Sequence, residues 1–256
     1  MKAPFLLALA LSVNLAQARP VALAGNLGDS VEVQIDQAYI PAHGFDDNDN
    51  VQLVVEGRLP NACYTATEAT ARRASGSSVF RLLQSAHRNQ SGVCAPGANL
   101  PPDLRHPVPF TSEISLGRLE AGSYRLAFGR NRERVFQVGI AQTGSVDDLR
   151  YATITNAFAE DSVAAASPNF EVRITGMLNS SCAVLAEPKL LFEGDVVVIL
   201  LGTEQDGDYC LPVSHPFYEV LKVPTPPAGR YLLHVRSLGG QAKNKLFSVV
   251  RGNRPR

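Results

Sequence analysis

The chain has 256 residues, of which 24 are basic and 24 acidic, so its formal net charge is zero, and 45% of the residues are hydrophobic. A balanced charge lacks the basic excess by which proteins bind nucleic acids or anionic membranes, so the sequence predicts neither partner. The hydrophobic content at low net charge excludes intrinsic disorder and predicts folded domains.

The first predicted element is a secretory signal peptide over residues 1–18. Lys2 provides a positive start, residues 4–15 form an apolar stretch, and Ala-Gln-Ala at 16–18 marks a cleavage site. The stretch is shorter than a membrane-spanning helix, and no later run approaches that length. Because no cysteine follows the cleavage site, we expect no lipid anchor. The prediction is an exported protein, periplasmic or extracellular.

Apolar and polar residues alternate along most of the remaining chain. Residues 31–35, 51–55 and 170–174 each place apolar side chains on one face and polar side chains on the other. Further predicted strands cover residues 79–84, 110–116, 123–128, 134–138, 151–155, 196–201, 217–223, 230–236 and 245–250. Turns rich in Gly, Asp and Asn separate them, and we find no convincing helical periodicity. The pattern predicts an all-β protein with antiparallel sandwiches.

Two parts of the chain carry the same residues in the same order. Each part contains Gly-x-Leu, two cysteines, Pro-Phe and Gly-x-Tyr. The first copy has Gly57, Leu59, Cys63, Cys94, Pro109, Phe110, Gly122 and Tyr124, and the second has Gly176, Leu178, Cys182, Cys210, Pro216, Phe217, Gly229 and Tyr231. Such self-similarity predicts two copies of one domain, which we place at residues 19–143 and 144–256, joined by the polar segment 141–149.

Four cysteines in an exported chain predict two disulfides, and three pairings are formally open. Each copy of the repeat holds two cysteines at a similar separation, so we expect the pairs Cys63–Cys94 and Cys182–Cys210. A zinc site is the alternative, and it is disfavoured because the chain contains no C-x-x-C pair.

The sequence around Tyr124 has the form L-x-x-G-x-Y, and the Gly-x-Tyr part recurs at Tyr231. This form is typical of the tyrosine corner of immunoglobulin-like sandwiches, in which the hydroxyl bonds to an upstream backbone group. Leu126 and Leu233 stand where an antibody domain has a cysteine. The predicted disulfides therefore join other segments than the antibody bridge does.

The whole pattern, G-x-L-P-x-x-C, then C, P-F and L-x-A-G-x-Y, resembles tandem immunoglobulin-like or fibronectin III-like modules of secreted bacterial proteins. It is carried by Gly57, Leu59, Pro60, Cys63, Cys94, Pro109, Phe110, Leu119, Ala121, Gly122 and Tyr124. The second copy departs from it, with Asn179 in place of the proline. The resemblance implies two tandem antiparallel β-sandwich domains with one disulfide each, and it implies no particular activity.

Motifs of catalysis and of phosphate binding are absent: the chain has no G-x-S-x-G, H-E-x-x-H, P-loop or dinucleotide fingerprint. Asp103 and His106 place a carboxylate near an imidazole, but in a proline-rich loop without an evident nucleophile. His234 lies in an apolar strand and is predicted to be a tolerated or hydrogen-bonded neighbour of the core. We therefore predict no catalytic residue and no cofactor.

Two charged segments are weak candidates for binding. Asp46, Asn48 and Asn50 supply oxygen ligands that suit calcium, but a polar hairpin turn explains the same residues, and the preferred interpretation has no metal site. A cluster of basic residues, Arg130, Arg132 and Arg134, marks a predicted hairpin tip at which an anionic partner could dock. A solvated turn explains it as well.

The leading hypothesis is a non-catalytic exported protein that acts in protein interaction or envelope scaffolding, with another protein as partner. A secreted hydrolase with an unrecognised site is the alternative. A further alternative is a protease inhibitor or a module that binds a small ligand or carbohydrate. An inhibitor would need a rigid loop, for which residues 65–78 and 95–108 are candidates. The lack of tryptophan disfavours a carbohydrate-binding module. The sequence does not specify the oligomeric state.

Overall fold

The computed structural model describes residues 30–90, 92–144 and 149–251, so the predicted signal peptide and part of the predicted joint lie outside it. Within these residues the chain forms twenty strands and two single-turn 3-10 helices, Gly92–Cys94 and Pro102–Leu104.

The strands divide into two modules. Module 1 contains β1 (Ser30–Val33), β2 (Ile35–Tyr39), β3 (Phe45–Asp46), β4 (Val51–Leu59), β5 (Tyr64–Ala66), β6 (Thr70–Arg73), β7 (Val79–Arg88), β8 (Val108–Gly117), β9 (Gly122–Phe128) and β10 (Arg132–Gly139). Module 2 contains β11 (Thr153–Phe158), β12 (Ser162–Ala164), β13 (Asn169–Leu178), β14 (Ala183–Leu185), β15 (Lys189–Glu193), β16 (Val196–Leu200), β17 (Thr203–Gln205), β18 (His215–Pro224), β19 (Gly229–Ser237) and β20 (Gln241–Val250).

Each module is a β-sandwich with its own apolar core. In module 1 the sheet β2-β4-β8 packs on the sheet β1-β7-β9-β10-β3, to which β5 and β6 add at β7. In module 2 the sheet β11-β13-β18 packs on the sheet β12-β20-β19-β16-β15, and β14 pairs with β17. The predicted all-β fold of two immunoglobulin-like sandwiches is confirmed.

The predicted strands all fall on observed ones, with shifted ends. The first, 31–35, is divided at Gln34, where the chain passes from one sheet of module 1 to the other. Seven strands were not predicted: β3, β5, β6, β12, β14, β15 and β17. Six of them have only two to four residues, which is too short for alternation to be recognised, and the five-residue strand β15 has three consecutive apolar residues at its centre and so does not alternate.

The local predictions about the repeat also hold. The disulfides join Cys63 to Cys94 and Cys182 to Cys210, one in each module. The Tyr124 hydroxyl donates a hydrogen bond of 2.7 Å to the carbonyl of Glu120. The Tyr231 hydroxyl donates one of 2.8 Å to the carbonyl of Pro227, so each module has a tyrosine corner.

The two modules share a buried interface that the sequence did not predict. The outer face of the sheet β2-β4-β8 packs on the outer face of β16, β19 and β20. Its apolar centre consists of Tyr39, Val54, Val196, Val198, Leu232 and Leu246. Strand β19 is consequently buried on both faces, because residues 231, 233 and 235 point into the core of module 2 and residues 232, 234 and 236 point towards module 1.

A buried ion pair fixes one end of this interface. The Arg236 guanidinium lies 2.8 Å from the Asp49 carboxylate, and both side chains are only 5% exposed. Arg236 also donates a hydrogen bond to the carbonyl of Gly44, and its guanidinium lies 4.7 Å from the ring centroid of Phe45. The arginine of module 2 is therefore enclosed by a carboxylate, a carbonyl and an aromatic face of module 1.

Further polar contacts cross the same interface. The Glu56 carboxylate accepts hydrogen bonds from the Tyr39 hydroxyl at 2.7 Å and from Arg230 at 3.2 Å. Burial and the hydrogen bond to Glu56 raise the pKa of Tyr39 above its ordinary value. Asp195 accepts from Gln37 at 3.1 Å and pairs with Arg134. Together with the apolar centre, these contacts hold the modules in one relative position.

We expect the substitution Asp49→Asn to destabilise the protein by about 3–5 kcal/mol, because it leaves the Arg236 cation buried without its carboxylate. Urea unfolding of the full chain measures this change. The matched control is Glu171→Gln, which disrupts the exposed pair of Glu171 and Arg173 and should shift the unfolding free energy by less than about 0.5 kcal/mol. Equal stability of Asp49→Asn and the unmodified protein would contradict the assigned role of the ion pair.

Candidate functional site

The arginine cluster predicted at a hairpin tip is divided by the structure. Arg130 and Arg132 lie at the turn between β9 and β10 and line an open cleft of about 670 Å³. Arg81, Glu32 and Glu133 line the same cleft, so its charges are of mixed sign. Arg134, by contrast, pairs with Asp195 of module 2 and belongs to the module interface.

The charged segment that was considered for calcium, residues 46–50, takes part in the module interface through Asp49. Asp49 is the carboxylate that pairs with Arg236, and it also accepts a hydrogen bond of 3.0 Å from the backbone N–H of Asp46. The Asn50 side-chain carbonyl accepts a hydrogen bond of 2.8 Å from the Ser115 hydroxyl. In the described ranges we find no group of three or more His, Cys, Asp or Glu residues that could hold a metal ion.

The histidines occupy very different environments. Asp103 and His106 are both exposed on their loop. His234 is fully buried at the module interface, where its Nδ1 lies 2.8 Å from the Asn244 side-chain oxygen. Burial, and then the positive charge of Arg236, lower the pKa of His234 to about 3, against the opposing effect of the Asn244 hydrogen bond. The imidazole is thus neutral above that pH, and the prediction of a tolerated or hydrogen-bonded neighbour of the core agrees with the structure.

This histidine should make the stability of the protein depend on pH. An unfolded histidine has a pKa of about 6.5, whereas folded His234 has a pKa of about 3, so between these values only the unfolded state binds the proton. The stabilisation is fully present above about pH 6.5 and is lost as the pH falls towards 3, by at most about 1.4 kcal/mol per pH unit. Urea unfolding at a series of pH values should show a shallower slope for His234→Gln, and no change for the exposed control His106→Gln. Parallel profiles for His234→Gln and the unmodified protein would be inconsistent with this assignment.

Three of the four most exposed large apolar side chains of the described residues lie in one loop of module 2, residues 206–214, which connects β17 to β18; the fourth is Ile140 of module 1. Tyr209 is 97% exposed, Leu211 64% and Val213 54%. They alternate along the chain with Cys210 and Pro212, so the loop offers its apolar side chains to solvent at every second residue. No core of either module includes them.

The backbone of the 206–214 loop is nevertheless anchored. Cys210 is joined to Cys182, which precedes β14. The Leu211 N–H donates a hydrogen bond of 3.0 Å to the Ser181 hydroxyl, and the Ser181 N–H donates one of 3.0 Å to the Leu211 carbonyl. Pro212 restricts its own φ and keeps Leu211 out of the helical region. The loop is therefore fixed at its centre by a disulfide and by hydrogen bonds at both backbone groups of Leu211.

Such an arrangement is suited to binding a protein. Tyrosine, together with tryptophan and arginine, is enriched among the residues that supply most of the binding energy in protein interfaces, and a backbone that is already ordered loses little entropy on binding. Neither loop suggested by the sequence has this character to the same degree. In the first, residues 70–73 form strand β6, which is paired with β7, and the second contains the 3-10 turn Pro102–Leu104. The sequence did contain a feature that could have indicated the 206–214 loop: Tyr209, Leu211 and Val213 alternate with a cysteine and a proline.

The comparisons with known proteins add no relative: no protein-family model, curated protein or solved structure matches the chain. In the part of the chain that the structure describes, no helix combines the length and the hydropathy needed to cross a membrane.

We call the two hydrogen bonds between Ser181 and the backbone of Leu211 the Ser181 clamp, and it can be tested by substituting Ser181. The substitution Ser181→Ala removes the acceptor of the Leu211 N–H at a cost of about 1 kcal/mol, so amide exchange at Leu211 should accelerate about fivefold. Hydrogen exchange followed by NMR measures this rate. Ser181→Thr keeps the hydroxyl and should preserve the slower exchange. The clamp would be excluded if the amide of Leu211 exchanged equally fast in all three proteins.

Proposed function

We propose that the chain is an exported, non-catalytic protein that binds another protein, and that the 206–214 loop of module 2 is its docking element. The observation that carries this proposal is Tyr209, whose side chain is 97% exposed on a backbone that a neighbouring disulfide holds in place. Covering exposed apolar surface with a partner is favourable, and neighbouring exposed apolar side chains such as Tyr209, Leu211 and Val213 are typical of interaction sites.

The proposed partner presents an apolar groove to the loop. Tyr209 supplies a large, rigid side chain with a polar tip, which is the type of residue that most often dominates interface energetics. Leu211 and Val213 extend the apolar contact along the chain. Because the disulfide and the Ser181 clamp order the backbone before binding, little of the binding energy is lost to ordering the loop.

Module 1 serves in this proposal as a fixed neighbour of module 2. The buried interface, with its ion pair of Asp49 and Arg236, prevents the modules from moving independently. A partner bound at the loop is therefore held at a defined position relative to module 1. This geometry suits a scaffold of the cell envelope better than a flexible tether.

The proposed location is the periplasm or the exterior of the cell. Two disulfides indicate an oxidising, extracytoplasmic compartment, since thiols in the cytosol are kept reduced. The predicted signal peptide at residues 1–18 supports export by the secretory route.

The test is a comparison of three full-length proteins in binding to their native envelope partner, identified by quantitative mass spectrometry and then measured with the purified partner. We expect Tyr209→Ala to weaken binding by about 30-fold, because hot-spot truncations cost about 2 kcal/mol.

The matched control is Ile140→Ala, which shortens a side chain that is 76% exposed in module 1. It should leave the affinity unchanged. Undiminished binding by Tyr209→Ala would contradict the assignment of the loop, as would selective loss in Ile140→Ala.

A further inference from the structure

A second surface that the proposed function does not use is the free edge of module 2. Strand β15 is the last strand of its sheet and, in the described residues, pairs only with β16. Its sequence is Lys-Leu-Leu-Phe-Glu, with Leu191 43% and Phe192 47% exposed. An edge strand has unpaired backbone N–H and C=O groups, and natural proteins commonly protect such edges with charges.

The corresponding edge of module 1 has that protection. Strand β6 occupies the same place, because it pairs antiparallel with β7, which in turn pairs parallel with β9. Strands β15, β16 and β19 repeat this arrangement. However, β6 ends in Arg72 and Arg73, whereas the centre of β15 is apolar. The two copies therefore differ in whether their edge repels another strand.

The sequence of β15 is complementary to itself in one register. If two copies pair antiparallel about Leu191, Lys189 of each strand lies opposite Glu193 of the other, and Leu190 lies opposite Phe192. Opposite charges and apolar pairs directly across two strands are both stabilising. The Glu193 carboxylate is also oriented, since one oxygen accepts a hydrogen bond of 3.2 Å from the backbone N–H of His43.

We propose that β15 pairs with β15 of a second copy of this chain, antiparallel and about a twofold axis at Leu191. The two five-stranded sheets then form one continuous sheet of ten strands. The interface is isologous, so it closes at a dimer. The proposed dimer does not depend on the function proposed for the 206–214 loop, because the pairing uses only the backbone and side chains of β15.

The decisive experiment is a charge exchange followed by sedimentation equilibrium of the full mature chain. Lys189→Glu alone places Glu opposite Glu, and Glu193→Lys alone places Lys opposite Lys. Each variant should dimerise at least about tenfold more weakly than the unmodified protein. An equimolar mixture restores both opposite-charge pairs in a heterodimer and should recover the original dimerisation. The control Lys222→Glu reverses an exposed charge on β18 and should dimerise normally.

A second measurement tests the register and does not depend on how Glu193→Lys folds. In the proposed dimer the two Leu191 residues face each other at a Cα distance of about 5 Å, which a disulfide spans. Leu191→Cys should therefore give a disulfide-linked dimer under mild oxidation. Leu190→Cys should not, because its symmetry mate is roughly 8 Å away. A monomeric unmodified protein at millimolar concentration, a mixture that stays monomeric, or equal crosslinking of both cysteine variants would overturn the proposal.

Discussion

In each module a glycine on the central strand allows the neighbouring strands to approach more closely than any other residue would permit. A Cβ atom at Gly57 would lie 2.3 Å from the carbonyl oxygen of Gln34 and 2.8 Å from the ring of Phe110. At Gly176 it would lie 2.3 Å from the carbonyl oxygen of Thr153 and 2.5 Å from the ring of Phe217. All four distances are shorter than a van der Waals contact, so no side chain fits at either position. In each module the phenylalanine ring packs directly against the glycine, in the space that a Cβ atom would otherwise occupy. This constraint explains why Gly-x-Leu and Pro-Phe recur together in the sequence.

In both modules this close approach coincides with a register shift in the strand that begins the three-stranded sheet, β2 in module 1 and β11 in module 2. In both modules the register shifts by one residue next to the glycine, between Ile35 and Gln37 and between Ile154 and Asn156. A shift of this kind changes which side chains face outward. In module 1 it turns Tyr39 away from the core of its own sandwich and into the module interface. A local steric constraint thus contributes to how the two modules meet.

The two modules share a framework but differ in the side chains on its outer surfaces. This difference explains why each module contributes a different sheet to the interface between them. Phe158 takes the place of Tyr39 in module 2 but is 47% exposed, with the Arg173 guanidinium 6.0 Å from its ring centroid. Conversely, the outward residues of β19 are apolar or fully buried in module 2, whereas the equivalent strand β9 carries Arg125, an exposed cation. Module 1 therefore contributes the outer face of its three-stranded sheet to the interface, and module 2 contributes the outer face of its five-stranded sheet.

Architecture was predictable because the residues that determine it act locally. Alternation located the long strands, and the repeat assigned each cysteine to its partner. The module interface was not predictable, because Asp49 and Arg236 are far apart in the chain and each looks like an ordinary charged residue of a loop or strand. A usable signal did exist in β19, in which Tyr231, Leu232 and Leu233 are consecutive apolar residues and so occupy both faces, as in strands that are covered on both sides.

The covered face of β19 also determines which part of the protein can act as a unit. If module 2 stood alone, Val196, Val198, Leu232 and Leu246 would lie on the solvent side of its five-stranded sheet. Exposure of that apolar cluster opposes separation of the modules. Because the two modules share a framework but differ at these outward positions, module 2 depends on module 1 to cover its apolar outer face. The 206–214 loop and the free edge of β15 both belong to module 2, so any activity proposed for them is a property of the joined pair of modules.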